Sequence, residues 1–331
     1  MNDAPSTADR LAEFVGRQGA AMVSPDPVNA AMIRHWCAAL GDENPSYAET
    51  STAPAAMLQV WTMPGWKPAP CGPDAVADLY AYLDGQGYTS IVATDSEQDY
   101  LRALRHGETV TATKTIASIS DEKSTGLGRG FFITSHIEIV DAQGEPVGRQ
   151  LHRVLKFKPP EKPIAAPAAA STTATNAADI VDVDAGKNPP VFPPDTGREQ
   201  LPRLLIALDR STIVATAIAT RDYQPVHHDP DYARRAGSQD IFMNILTTQG
   251  LVARYVTDWA GPRAVVRRTA IRLGASNYPG DTMVMTGEVL SRQPAAGGGE
   301  DIELAVRGRN RLGDHVKGSA VVTVPNKATT A

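Results

Sequence analysis

The stretch 241–259, IFMNILTTQGLVARYVTDW, sets the fold class. Ile241, Ile245, Val252, Tyr255, Val256 and Trp259 recur at mostly helical spacing, and Gly261 with Pro262 ends the pattern, so a long, largely buried helix is expected here. Downstream, DIELAVRGRNRLGDHVKGSAVVTV (301–324) alternates apolar and polar residues about a turn at Leu312 to Asp314. That period of two predicts an antiparallel hairpin. The same kind of hairpin is expected from FFITSHIEIVDAQGEPVGRQLHRVLKF (131–157), which turns at Asp141 to Gly144. Ahead of it lies a helix-like run from about Val28 to Leu40.

The order of features therefore repeats. GDENPSY and later RHGETVTATKTIASIS in the first half match RDYQPVHHDPDYA and NYPGDTMVMTGEVLS in the second. Between the halves, 159–178 (PPEKPIAAPAAASTTATNAA) is rich in Pro, Ala, Ser and Thr and reads as a linker. The expected division is a first domain at 1–158, a linker at 159–190 and a second domain at 191–331. At 331 residues the chain is long enough for two such units. Each is expected to be an antiparallel sheet wrapped around a long helix, an α+β architecture.

Composition narrows the function classes. The net charge of -5 argues against broad nucleic-acid binding, and no run approaches the ~18 apolar residues of a membrane span. The N-terminal MNDAPSTADRLAEF lacks a basic start and apolar block, so a cytoplasmic protein is expected. Cys37 and Cys71 show no metal-ligand spacing and read as reduced, structural thiols, and no metal site is expected. GLGRG at 126–130 precedes a strand rather than a helix, which makes it a hairpin turn and not a phosphate loop.

The chemistry concentrates in 221–237, RDYQPVHHDPDYARRAG. Asp222 and His227, five residues apart across a Pro-containing turn, form a carboxylate and imidazole pair able to converge on one water. Addition of water to a C=C bond conjugated to a thioester needs a base for the water, an acid for the α carbon and donors for the thioester oxygen. A lone Asp or His in a loop is more often a cap or a surface group. Here the spacing, Pro225, Ala233 and the later PGDT together favour catalysis.

DYQPVH followed by five residues and Ala233 resembles the D-x-N-P-(aliphatic)-H-x5-A signature of the MaoC-like, (R)-specific enoyl-CoA hydratases, and NYPGDTMVMTGEV is similar to their P-G-D-T strand entry. The resemblance implies a double hot-dog fold, an acyl-CoA substrate rather than a cofactor, and Asp222 and His227 gripping the catalytic water. Gln224 stands where the family has Asn and would orient the pair. Arg221 replaces a Gly, and the family's oxyanion amide falls on Ile245, whose backbone N–H would serve. In the first half Asp42, Asn44 and Pro45 keep the frame, but Tyr47 replaces the His. With an ordinary pKa of about 10, tyrosine is a poor base, so this half is expected to be silent and to shape the acyl pocket.

Gly107 follows Asp42 at a separation of 65 residues, against 58 from Asp222 to Gly280, and the longer stretch carries the aromatic WTMPGW and DLYAYLDGQGY. Extra lining of this kind suits a bulky acyl group. Pairing of a His-less domain with a short catalytic one resembles the steroid side-chain hydratases, which implies a steroid enoyl-CoA in sterol catabolism. Hydration of ordinary fatty enoyl thioesters, a hot-dog thioesterase and a non-catalytic acyl-CoA-binding protein remain the alternatives. Arg263, Arg267 and Arg268 would meet CoA phosphates, or form a solvated charged turn. His228 is expected to be structural or solvent-facing, and His106, His136, His152 and His315 to decorate the surface or strands. A homodimer of double hot-dog chains is compatible with the reading.

Overall fold

The computed structural model describes residues 7–66, 72–159 and 196–326. The expected linker at 159–190 therefore lies outside the described residues apart from Pro159, as does Cys71. The first half comprises α1 (Thr7–Ala12), β1 (Met22–Val23), α2 (Ala30–Leu40), α3 (Ser46–Thr50), 3-10 turns at Ala55–Met57 and Val60–Thr62, and α4 (Ala75–Gly85). Strands β2 (Ser90–Tyr100), β3 (Val110–Ile119), β4 (Lys123–Thr125), β5 (Gly128–Asp141) and β6 (Pro146–Phe157) complete it. The second half comprises β7 (Leu204–Leu208), α5 (Arg210–Ala219), a 3-10 turn at Pro225–His227, α6 (Pro230–Arg235) and α7 (Ile245–Ala260). Strands β8 (Val265–Leu273), β9 (Asp281–Pro294), β10 (Glu300–Asn310) and β11 (Gly313–Val324) follow.

All strands join one antiparallel sheet in the order β1-β3-β5-β6-β2-β8-β11-β10-β9-β7, with β4 beside β5. The order of the first five mirrors that of the last five about the β2–β8 seam. Across it Asp95 to Asp99 pair with Arg272 to Arg268, and Arg268 reaches Glu97 at 2.7 Å. Behind the seam Tyr100 on β2 donates to Gln98 at 2.7 Å and meets Thr269 of β8 at 2.9 Å, while Gln249 of α7 touches both Tyr100 and Thr269. Buried polar groups must find partners, and here the partners come from opposite halves.

Capping residues set the helix limits. Asn29 accepts from Met32 N at the start of α2, and Gly41, at φ 65, ends it. Asn244 accepts from Thr247 N and caps α7, so the helix starts four residues inside the expected run and stops at Gly261, as expected. Twelve of the sixteen α7 residues are buried, and the helix packs on β8, β11 and β2.

The first half carries a shorter helix on its sheet than the second. Its α2 packs on α5, its counterpart before the Asp motif in the second half. The sequence after that motif forms two 3-10 turns, followed by the eleven-residue α4, whose Val76, Leu79 and Leu83 pack on Phe131, Ile133 and Val154 of the sheet. Pro54, Pro64 and Gly65 punctuate this stretch, which disfavours one continuous helix.

Candidate active site

The Asp–His frame starts at the end of α5. Arg221 holds φ 58 and Gly41, its counterpart before Asp42, holds φ 65. This left-handed turn swings the following Asp inward, and it is a backbone state that glycine adopts at least cost. Asp222 N then donates to Ala217 O, as Asp42 N does to Cys37 O. The 3-10 turn at Pro225–His227 folds the chain back so that His227 Nε2 lies 3.4 Å from Asp222 Oδ2. Both side chains are buried.

His227 Nδ1 lies 2.7 Å from the Phe242 carbonyl, which can only accept, so Nδ1 carries a proton and Nε2 is left to face the carboxylate. Burial pushes the Asp222 pKa up, but the hydrogen bond and charge of His227, the Gln224 N–H and the Asn244 side chain outweigh it and hold the carboxyl below its ordinary value. The Gln224 contact is through its backbone N–H, at 3.4 Å from Asp222 Oδ1. Asn244 caps α7, donates to Thr220 at 2.8 Å and steadies Asp222. Sequence reasoning placed it inside the helix. Its preference for N-cap positions was the available signal.

Ile245 is the first residue of α7, and a first-turn amide has no intrahelical acceptor. Asp222, Gln224, His227 and Ile245 all line one cavity of about 1160 Å³. Its other wall comes from the first half: β2 from Ser90 to Asp95, Lys114 and Ser118 on β3, Phe132 and Thr134 on β5, and His152 to Leu155 on β6. The short helical coverage of that sheet leaves this space.

Arg263, Arg267 and Arg268 are not among the residues lining the cavity. Arg268 is paired with Glu97 across the seam and Arg267 donates to Thr323 at 2.8 Å. The lining arginines are Arg153, Arg235 and Arg272. Trp61 is buried in the core, and the exposed Trp66 packs edge-on against Tyr223 and His228, so the first-half residues before α4 that line the cavity are Gln59, Met63 and Pro64. His228 is structural, its Nε2 lying 3.3 Å from Tyr223 O.

The first-half frame is closed on itself. Tyr47 OH donates to Asp42 Oδ2 at 3.2 Å, burial raises the pKa values of both groups, and neither lines the cavity. Burial likewise pushes Cys37 up to about 12, which keeps the thiol protonated.

Two histidines expected on the surface or as strand decoration face the cavity. His315 is 2% exposed, its Nδ1 2.8 Å from Ala275 O and its Nε2 2.8 Å from Thr248 Oγ1. Burial pushes its pKa down to about 4, against the pull of the Ala275 carbonyl. An unfolded His titrates near 6.5, so between these values the unfolded chain binds a proton that the folded chain refuses. The resulting stability is fully present above pH 6.5 and is lost as pH falls toward 4. From pH 7 to pH 5 this is expected to lower unfolding free energy by about 2 kcal/mol, read from urea midpoints. His315→Gln should narrow that gap, and an unchanged gap would contradict the assignment.

Comparison with known proteins agrees with this geometry. Residues 13–150 match the family described as "FAS1-like, dehydratase domain region", and residues 190–303 match "MaoC like domain". A "Probable enoyl-CoA hydratase alpha subunit" of Thermomonospora curvata is 44% identical over 165 residues, covering 45% of this chain and 51% of that protein. The "3-oxo-4,17-pregnadiene-20-carboxyl-CoA hydratase beta subunit" of Mycobacterium tuberculosis is 52% identical over 116 residues, covering 35% of this chain and 86% of that protein. The chain thus spans about half the length of the first relative and most of the second. A double hot-dog protein of Mycobacterium tuberculosis, 15% identical, superposes with a TM-score of 0.56 over 94% of this chain and 96% of that one, which establishes the fold. With its second half matched by the MaoC-like domain and most of a hydratase beta subunit covered at 52% identity, the chain belongs to the MaoC-like family.

Proposed function

We propose that the chain is a hydro-lyase that adds water across the 2,3 double bond of a bulky enoyl-CoA, with a steroid side-chain enoyl-CoA as the substrate class. The observation that carries the reading is the buried Asp222–His227 pair at 3.4 Å, opening onto a cavity beside the first amide of α7. A water between Asp222 Oδ2 and His227 Nε2 gives one proton to the pair as its oxygen bonds the β carbon. The C=C electrons shift toward the thioester oxygen, where the Ile245 N–H, at the positive end of a sixteen-residue helix, meets the developing charge. The α carbon then takes a proton from the pair, so the site returns to its starting state. Gln224 orients Asp222 through its backbone N–H.

The steroid class is supported by the name of the Mycobacterium relative and by a cavity above the ordinary small-molecule range of about 300–1,000 Å³. The two relatives are named as alpha and beta subunits, whereas here a FAS1-like region and a MaoC-like domain share one chain and one sheet. We read the chain as a fused form of such a pair. Among the described residues no helix is long and apolar enough to cross a membrane.

The test is incubation of the purified protein with a steroid side-chain enoyl-CoA. Loss of the conjugated-thioester absorbance without release of free thiol is expected. Thiol release would identify a thioesterase instead, and tight binding without turnover an acyl-CoA-binding protein.

A further inference from the structure

The cavity holds a second polar pole that the hydration chemistry does not use. Lys114 on β3 and His152 on β6 both line it, and strand register puts them on one face of the sheet: Ile116 pairs with Ser135, Ser135 pairs with His152, and Lys114 lies two residues before Ile116. Burial pushes His152 down to about 3, with Lys114 adding to the fall and Asp222 opposing it. The ring is therefore neutral and within electrostatic reach of both groups. Asp222, His152 and Lys114 all line the same cavity.

The Lys114 amine makes no hydrogen bond or ion pair among the described residues. Asp74 attracts it, but the Asp74 Oδ1 is engaged at the start of α4, accepting from Val76 N at 2.8 Å and Ala77 N at 3.1 Å. Lys114 is half-buried and lines the cavity, so a ligand bound there is the natural acceptor for its donor. A ketone oxygen accepts from the amine without bringing a second charge into the cavity that already holds Asp222, as a carboxylate would. Ile119, Phe132, Val154 and Phe157 supply apolar wall around it for a hydrocarbon body.

We infer that Lys114 donates a hydrogen bond to a ketone oxygen on the ring body of the acyl group, remote from the thioester, and so selects oxygenated over plain hydrocarbon acyl chains. This rests on the proposed hydration site for the position of the thioester at Asp222 and His227.

The test is calorimetric binding of saturated CoA thioesters of one fused-ring acid, carrying a ring ketone, a methylene or a carboxylate at the same carbon. The wild-type protein is expected to bind the ketone about 10-fold more tightly than the methylene compound. Lys114→Met should lose that preference by weakening the ketone alone, and Lys114→Gln, which keeps a donor, should retain part of it. The inference is overturned by equal weakening of ketone and methylene compounds, by no wild-type preference, or by tightest binding of the carboxylate. Should Lys114→Met fail to fold, the Lys114→Gln comparison decides in the same terms. Saturated thioesters are not hydrated, so a chain without hydratase activity would defeat the proposed function and leave this readout intact.

Discussion

Asp222→Asn is expected to lower kcat for enoyl-CoA hydration by about 10³-fold while leaving the fold in place. The substitution keeps the shape of the side chain and its contacts with the Gln224 N–H and Asn244, but removes the proton acceptor 3.4 Å from His227 Nε2. In the proposed mechanism His227 and Asp222 handle one proton between them, so either loss should stop both the activation of water and the protonation of carbon. The residual rate would come from binding and the Ile245 amide. Steady-state absorbance assays with circular dichroism as the fold control measure the effect, and a loss below about 10-fold would exclude Asp222 from the proton path.

Trp36→Ala is expected to destabilise the chain by about 3–5 kcal/mol. Trp36 is 1% exposed and its indole lies on Gly250 of α7, where a Cβ would come within 2.6 Å of the ring and 2.3 Å of Leu40. The contact joins a first-half helix to the central helix of the second half, so removing the indole opens a void between the halves rather than at one edge. Urea unfolding of the intact chain measures it. A loss under about 1 kcal/mol would show that the halves are held mainly at the β2–β8 seam.

The parts legible in the sequence are those fixed by local chemistry. Alternation with turn residues gave the hairpin at Asp141 to Gly144 and a second one whose turn lies at Arg311–Leu312, slightly ahead of the expected Leu312 to Asp314, and the periodic run up to Gly261 gave the end of α7. The five-residue spacing of Asp222 and His227 was readable because a 3-10 turn at Pro225 closes it. The repeat was legible too, and the structure adds that its matching positions Gly41 and Arg221, and Gly107 and Gly280, all hold positive φ.

What escaped was decided by tertiary partners. Strand β2 ends in DSEQDY, which reads as solvent-facing, yet those charges meet the arginines of β8 and fuse two sheets into one. The same pairing engages Arg268, which the sequence had offered for CoA phosphates. His152 and His315 gave no signal, because their neighbours Lys114, Thr248 and Ala275 lie on other strands or helices. The shortened helical cover of the first half depended on a loop whose path no periodicity encodes, and the cavity depends on it in turn.

The central claim is that one of the two matching frames carries the chemistry. Side-by-side hydration rates of Tyr47→Phe and His227→Ala test it most directly. Tyr47 hydrogen-bonds Asp42 away from the cavity, whereas His227 lines it. Tyr47→Phe is predicted to stay within about twofold of wild type while His227→Ala loses about 10³-fold. Comparable losses in the two variants, or full activity in His227→Ala, would contradict it.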